Sequence, residues 1–170
     1  LPLLRKTGID VEMTVEKYGF YPKGCGEITA VIHSIQKLKE LTLHERGKIQ
    51  IKEVTAYASL DLQSKHVAER IISTFLKEMN DSTWKTQKQY ITTTSPGCFL
   101  HSHIDYENYP VGDDALGEKG MSSEEVGKEA AQKIQTLLRG GGLDEYAADQ
   151  LMIYMALAGR GSITTARTYF

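Results

Sequence analysis

Apolar Val11, Met13 and Val15 alternate with polar Glu12, Thr14 and Glu16. That period of two predicts a half-buried strand. Three glycines and a proline in Tyr18-Gly-Phe-Tyr-Pro-Lys-Gly-Cys-Gly26 then mark a turn or loop. Residues 27–35 read as a second strand with Ile28, Ala30 and Ile32 on one face, so the two strands form a hairpin with a long connection. Residues 36–48 are charged and read as surface, and the pattern restarts after Gly47, which makes this stretch the best candidate boundary. A third strand is predicted over 49–58.

Val67, Ile71, Phe75 and Met79 recur at helical spacing and predict a helix over 63–79 that packs on a sheet. The β-branched stretch 86–94 predicts a strand, Ser95-Pro-Gly97 a turn, and 99–106 another strand. That strand sets His101 and His103 on one face and Leu100, Ser102 and Ile104 on the other. Residues 109–120 read as a loop or short edge strand. Ser122 and Glu125 form a capping box for a helix over 123–139, and Gly140-Gly-Gly142 ends it as a plausible hinge. Asp144 caps a last helix over 145–158. Its apolar residues run nearly all round, which predicts a buried helix. A final strand is predicted over 162–168.

The chain opens with Leu1–Leu4, Arg5, Lys6, Thr7 and Gly8, which read as the last turn of a helix with Gly8 as its terminator. Together with the strand-like run before Phe170, this reads as a piece of a longer protein. The order of elements predicts an α/β (α+β) fold. A compact unit over 44–140 is inserted into a larger α/β unit represented by its flanks, 1–43 and 141–170.

Composition narrows the function classes. The chain has 170 residues, 41% of them hydrophobic, enough for one core or two small ones. Lys and Arg number 20 against 22 Asp and Glu, a net charge of −2, which excludes an extended basic nucleic-acid arm but not a small local site. Cys25 and Cys98 form no CxxC pair and read as reduced thiols of a cytosolic protein. No apolar run is long enough to span a bilayer, and no signal peptide is recognisable.

Four places could carry chemistry. The loop Lys23-Gly-Cys-Gly26 could approach a phosphate, but it lacks P-loop spacing and leads into a strand, so a structural turn is favoured. His101 and His103 could bind zinc with a third ligand such as Asp105 or His33; surface strand histidines are the plainer reading. His33, His44 and His66 are isolated, and His66 reads as a packing or capping residue at a helix start. Asp113 and Asp114 could hold a divalent cation or form an ordinary acidic loop. Tyr146, Asp149 and Gln150 put a stackable ring beside two hydrogen-bonding side chains on one helix, a reasonable nucleotide contact. The alternative is a buried polar pair satisfied by backbone groups.

These motifs together resemble a family. Gly19-Phe-Tyr-Pro-Lys-Gly-Cys-Gly-Glu27 resembles the glycine-rich hairpin of the RNA 3′-terminal phosphate cyclases. Glu45-Arg-Gly47, His66-Val-Ala-Glu-Arg70, Asp114-Ala-Leu-Gly-Glu-Lys-Gly120, Asp144-Glu-Tyr-Ala-Ala-Asp-Gln-Leu151 and Met155-Ala-Leu-Ala-Gly159 are similar to further segments of that family, in the right order. Cys25 stands where the family usually has Gly, so a positive φ there would be less comfortable. Tyr154 stands where Pro is common.

The resemblance implies a large domain of ββαβα-type repeats, here only partly present, with an inserted small α/β domain. It implies ATP and a divalent cation (Mg²⁺ or Mn²⁺) as cofactors and an RNA 3′-phosphate end as substrate. The implied product is a 2′,3′-cyclic phosphate formed through a covalent histidine–AMP intermediate. It assigns Tyr146, Ala147, Ala148, Asp149 and Gln150 to ATP contact. By register the nucleophilic histidine is expected immediately after Phe170, so none of the five histidines present takes that role, and the isolated 170-residue chain is expected to be inactive. The implied location is the cytoplasm, or the nucleus in a eukaryote. A catalytically silent, cyclase-like ribosome-assembly factor is the alternative, and an inactive remnant is a third reading.

Overall fold

The computed structural model describes residues 1–165. A short helix α1 (Pro2–Lys6) precedes the hairpin β1 (Asp10–Lys17) and β2 (Glu27–His33), paired antiparallel from Asp10↔His33 to Lys17↔Glu27. Gly8 takes φ +88° just after α1, as the terminator reading expects. The hairpin is present as expected, but it is not half-buried. Only Val11 of β1 is buried, and every residue of β2 is exposed.

β4 (Ile49–Ser59), β5 (Lys85–Ile91), β6 (Cys98–Tyr106) and β7 (Val111–Leu116) form one sheet in the order β5-β4-β6-β7. β5 runs parallel to β4, and β6 and β7 run antiparallel to their neighbours. Helices α2 (Val67–Met79) and α3 (Ser123–Arg139) lie against this sheet and against each other. The predicted helix start at 63 is too early. Residues Leu60–Lys65 are a 3₁₀ turn, and His66 at φ +52° separates it from α2. His66 thus occupies the N-cap position, but its side chain makes no capping hydrogen bond.

The core follows from the two periodicities. Val54 and Ala56 of β4, Leu100 and Ile104 of β6, and Ala115 of β7 point to the helices, and Ile71, Phe75, Val126 and Ile134 point back. Full burial of each large aliphatic or aromatic side chain contributes about 1.5–3 kcal/mol. Trp84 meets Phe75 edge-on at 5.0 Å. Close helix approach requires Gly127, since a Cβ there would lie 2.4 Å from the Ile71 carbonyl oxygen. The capping box of α3 forms as read: Glu125 N donates to Ser122 Oγ at 3.2 Å, and Ser122 N donates to Glu125 Oε2 at 2.6 Å.

The stretch 36–48 departs from expectation. It contains a strand, β3 (Leu41–Leu43), whose Leu41 and Leu43 are buried, and Arg46 is buried too. β3 pairs in parallel with β8 (Gly161–Ile163). The predicted strand at 162–168 is therefore seen from Gly161 to Ile163, and its end lies outside the described residues. Between α3 and β8 runs α4 (Glu145–Ala158). It too departs from expectation, because Met152, Ile153 and Leu157 are exposed and, among its described side chains, only Ala148 and Leu151 are buried. Leu41, Leu43, Leu143 and Leu151 join the same core as the four-stranded sheet. Among the described residues no helix is long and apolar enough to cross a membrane.

Candidate functional site

The start of α4 is positioned by its sequence neighbours. Asp144 has extended backbone at φ −66°, ψ 160°, and its Oδ1 accepts from Ala147 N at 2.8 Å, which caps the helix. Just upstream, Leu143 is fully buried, and its N–H donates to the Thr164 carbonyl at 2.8 Å. Gly142 sits at φ +76°, and a Cβ there would lie 2.0 Å from the Thr164 carbonyl oxygen. The last glycine of the triplet is thus required by close packing.

Arg46 locks the same junction. Its Nε donates to the Gly142 carbonyl at 2.7 Å and its Nη1 to the Leu137 carbonyl at 2.6 Å, while the guanidinium lies 5.5 Å from the Tyr106 ring centroid. One buried cation thus satisfies a carbonyl in the last turn of α3 and one before α4. Among the described residues Nη2 is buried with no hydrogen-bond partner. Sequence reasoning met Arg46 only as part of a motif, since an arginine in a charged stretch reads as solvated.

Of the predicted nucleotide-contact residues, Ala147 and Gln150 line a groove of about 430 Å³ between α1 and α4. Leu1, Leu3, Leu4, Leu151, Ile153 and Tyr154 complete its wall. A groove of this size with a mostly apolar lining and one amide suits a planar heterocycle. The leucines of α1 were not foreseen as part of it. Tyr146 stands outside the lining with 72% of its surface exposed, and Asp149 is exposed. Ala148 is 7% exposed and packs into the core. Since Asp149 and Gln150 are both exposed, the reading of a buried polar pair is excluded.

The other candidates are kept apart. Asp113 and Asp114 are consecutive residues of β7 and point to opposite faces, so they cannot close on one ion together. Burial raises the Asp113 carboxyl above its ordinary value. His101 and His103 stack on the open sheet face with centroids 5.7 Å apart, and His103 Nε2 lies 3.5 Å from Glu53 Oε2 and 4.0 Å from Asp105 Oδ2. His44 Nδ1 meets Thr164 Oγ1 at 3.0 Å. Among the described residues no group of three or more His, Cys, Asp or Glu could hold a metal ion.

The loop Tyr18–Gly26 docks on its own protein. Phe20 is buried and lies 6.2 Å from Phe99, Tyr18 lies 5.4 Å from Tyr57, and Lys23 N donates to Ser95 Oγ at 3.2 Å. These contacts agree with the structural-turn reading. Cys25 does adopt a positive φ, +62°.

Fold and site define a mixed α+β protein with a mostly apolar groove of about 430 Å³ at the start of its last helix. The chain belongs to the RNA 3′-terminal phosphate cyclase family, whose model matches residues 1–169. It is 33% identical over 168 residues to an RNA 3′-terminal phosphate cyclase of Koribacter versatilis, covering 98% of this chain and 47% of that protein. A cyclase of Salmonella agona is 34% identical over 170 residues, covering 98% and 48%. One from Halobacterium salinarum is 33% identical over 160 residues, covering 94% and 45%. The chain therefore spans about half the length of these relatives.

Proposed function

We propose that this chain is part of an enzyme that converts an RNA 3′-terminal phosphate into a 2′,3′-cyclic phosphate at the expense of ATP. The observation that carries the reading is family membership across residues 1–169, together with relatives named for that activity. In the proposed sequence, a neutral imidazole nitrogen attacks the α-phosphorus of ATP and pyrophosphate leaves. AMP passes to the RNA 3′-phosphate. The vicinal 2′-hydroxyl then attacks that phosphorus, loses its proton and expels AMP. The nucleophile is assigned to a histidine following Phe170 in the parent polypeptide, so the 170 residues alone are expected to form no product.

This chain's own contribution is to bind and orient. Gln150 offers amide donor and acceptor groups at the wall of the apolar groove, Tyr146 offers an exposed ring for stacking, and Asp149 offers an exposed carboxylate. Ala147 keeps the groove wall free of bulk, and Ala148 packs behind it into the core. The proposed Mg²⁺ or Mn²⁺ would enter bound to the nucleotide phosphates and offset their negative charge there. The proposed organisation is a small domain over 44–140 inserted between flanks 1–43 and 141–170, and the proposed location is the cytoplasm, or the nucleus in a eukaryote. Both cysteines being free thiols agrees with that location.

The test is to incubate the natural polypeptide that carries this sequence with [α-³²P]ATP and Mg²⁺ and measure its intact mass. One acid-labile AMP adduct is expected, abolished when the histidine following Phe170 is replaced. Absence of the adduct, with another residue at that position, would move the reading to a cyclase-like assembly factor.

A further inference from the structure

Tyr21 and Lys23 share the tip of the loop between β1 and β2, and that tip is held rigidly. Phe20 is 8% exposed, and its ring rests on the backbone of Gly97, where a Cβ would lie 2.2 Å from it. Lys23 N donates to Ser95 Oγ, and Gly24 N donates to the Phe20 carbonyl at 2.8 Å. The chain crosses itself at Gly19, where a Cβ would lie 2.3 Å from the Gly24 carbonyl oxygen. Gly24 and Cys25 both take left-handed backbone, at φ +64° and +62°. In a cysteine that conformation costs free energy, and strain of this kind persists where the surroundings fix a particular shape. The chain is therefore pinned on both sides of Tyr21. Yet Tyr21 itself is 92% exposed, more than any other large apolar side chain among the described residues. Among them neither its hydroxyl nor the Lys23 ammonium has a partner.

We propose that this tip is an RNA contact separate from the groove beside α4: a base of the single-stranded substrate stacks on the Tyr21 ring, and Lys23 pairs with a phosphate next to it. The occupant follows from the chemistry of the tip. A ring that no side chain covers offers a flat face on which any base can stack. Because the tip is already ordered, stacking there loses little conformational entropy. Lys23 carries the only formal charge in residues 18–26, and the segment 92–97 on which the loop docks carries none, so the tip is locally positive in a chain of net charge −2. Gly24 and Gly26 put no side chain in the way of a phosphate backbone at Lys23. A protein partner is the poorer fit, because protein hot spots are ringed by packed apolar contacts, and Tyr21 stands beside Pro22, Lys23 and Gly24. None of these residues lines the groove that holds Ala147 and Gln150. The inference rests on the cyclase reading for the identity of the strand as RNA, and adds a second place at which that strand is gripped.

The experiment uses the natural polypeptide that carries this sequence and a fluorescent single-stranded RNA ending in a 3′-phosphate. Anisotropy without ATP gives the RNA affinity, and [α-³²P]ATP without RNA gives the AMP adduct. Tyr21→Ala should weaken RNA binding about 5- to 150-fold, the range of one lost base stack, and Tyr21→Phe should restore it. Lys23→Ala should make the slope of log affinity against log salt shallower by about 0.7. Adduct formation and the thermal midpoint should keep the parent's values in all three variants, since both positions are exposed and lie outside the groove. The proposal is overturned if Tyr21→Ala leaves RNA affinity unchanged, as a tip that binds protein would, or if Tyr21→Phe binds as weakly as Tyr21→Ala. No adduct, with RNA binding that still depends on Tyr21, would remove the cyclase reading and leave this contact standing. An adduct, with RNA binding indifferent to Tyr21, would do the reverse.

Discussion

Arg46 and Gly142, 96 positions apart, are joined by a 2.7 Å hydrogen bond from the arginine Nε to the glycine carbonyl. With the second bond to Leu137, this fixes where α3 stops and where α4 begins. Arg46→Met should lower unfolding stability by about 1–3 kcal/mol, because two carbonyls lose their donors while a buried cation is also relieved. Urea unfolding would measure the loss, and hydrogen exchange should speed up at Leu143 and Ala148. Arg46→Lys should not restore stability, since an ammonium cannot serve two carbonyls with the fixed fork of a guanidinium.

Acid should destabilise the protein in a defined window. Lys88 and the Tyr90 hydroxyl donate to Glu69 and lower its carboxyl from 4.5 to about 2. Lys52 and Thr83 lower Asp81 from 3.8 to about 2. A carboxyl whose folded pKa is depressed contributes fully above its unfolded pKa and loses that contribution as pH falls through the folded one. Urea midpoints should therefore stay level above about pH 5 with respect to these two groups and fall between about pH 4.5 and pH 2. Asp81→Asn should flatten part of that fall; an unchanged profile would show that the Lys52 contact contributes nothing.

At Cys25 a non-glycine residue holds φ +62° in an exposed loop. A left-handed conformation costs an L-residue about 1–2 kcal/mol, offset in part by the greater unfolded-state freedom of glycine. Cys25→Gly should leave stability unchanged or raise it by about 1 kcal/mol. Cys25→Val should lower it, as thermal unfolding can check.

Ligand binding should separate the residues at the start of α4. In the natural polypeptide, Tyr146→Ala should weaken ATP binding by about 1–3 kcal/mol if the ring stacks on the base. Gln150→Ala should weaken it by about 1 kcal/mol through a lost hydrogen bond. Both positions are exposed, so stability should hold. Ala148→Leu should instead lower stability by overpacking the core. Titration calorimetry alongside thermal unfolding distinguishes the two classes.

Phe75 is fully buried and meets Trp84 edge-on. Phe75→Ala should cost about 3–5 kcal/mol, read by urea unfolding. A loss below 1 kcal/mol would mean that α2 and the sheet close the gap.

Much of this architecture was legible because its signals are local. The helix at Ser123–Arg139 announces itself through Ser122 and Glu125, and β6 through the alternation of Leu100, Ser102 and Ile104 with two histidines. β3 was not legible, because three residues in a charged stretch become a buried strand only through β8, far along the chain. The exposure of Ile153 and Leu157 was misread because apolar positions all round a helix do not say which elements pack against it, and among the described residues these two stay exposed. At the site, the Asp144 cap and the groove position of Gln150 could be picked out from spacing, whereas Tyr146 and Asp149 stand outside the groove lining. The clamp by Arg46 could not, since its partners are carbonyls that leave no trace in residue identity.

The β3–β8 pairing also orders events in time. Leu41 and Gly161 are partners across most of the chain, and bringing such distant segments together from a disordered state costs about 4 kcal/mol of closure entropy. The sheet β5-β4-β6-β7 and its two helices lie wholly between them. Once that unit has formed, only the short stretches up to Ile49 and beyond Arg139 still have to close, so the remaining search is brief. Refolding should show sheet-and-helix signals first and protection of β3 last, and a nick in the stretch between β3 and β4 should slow only the later phase.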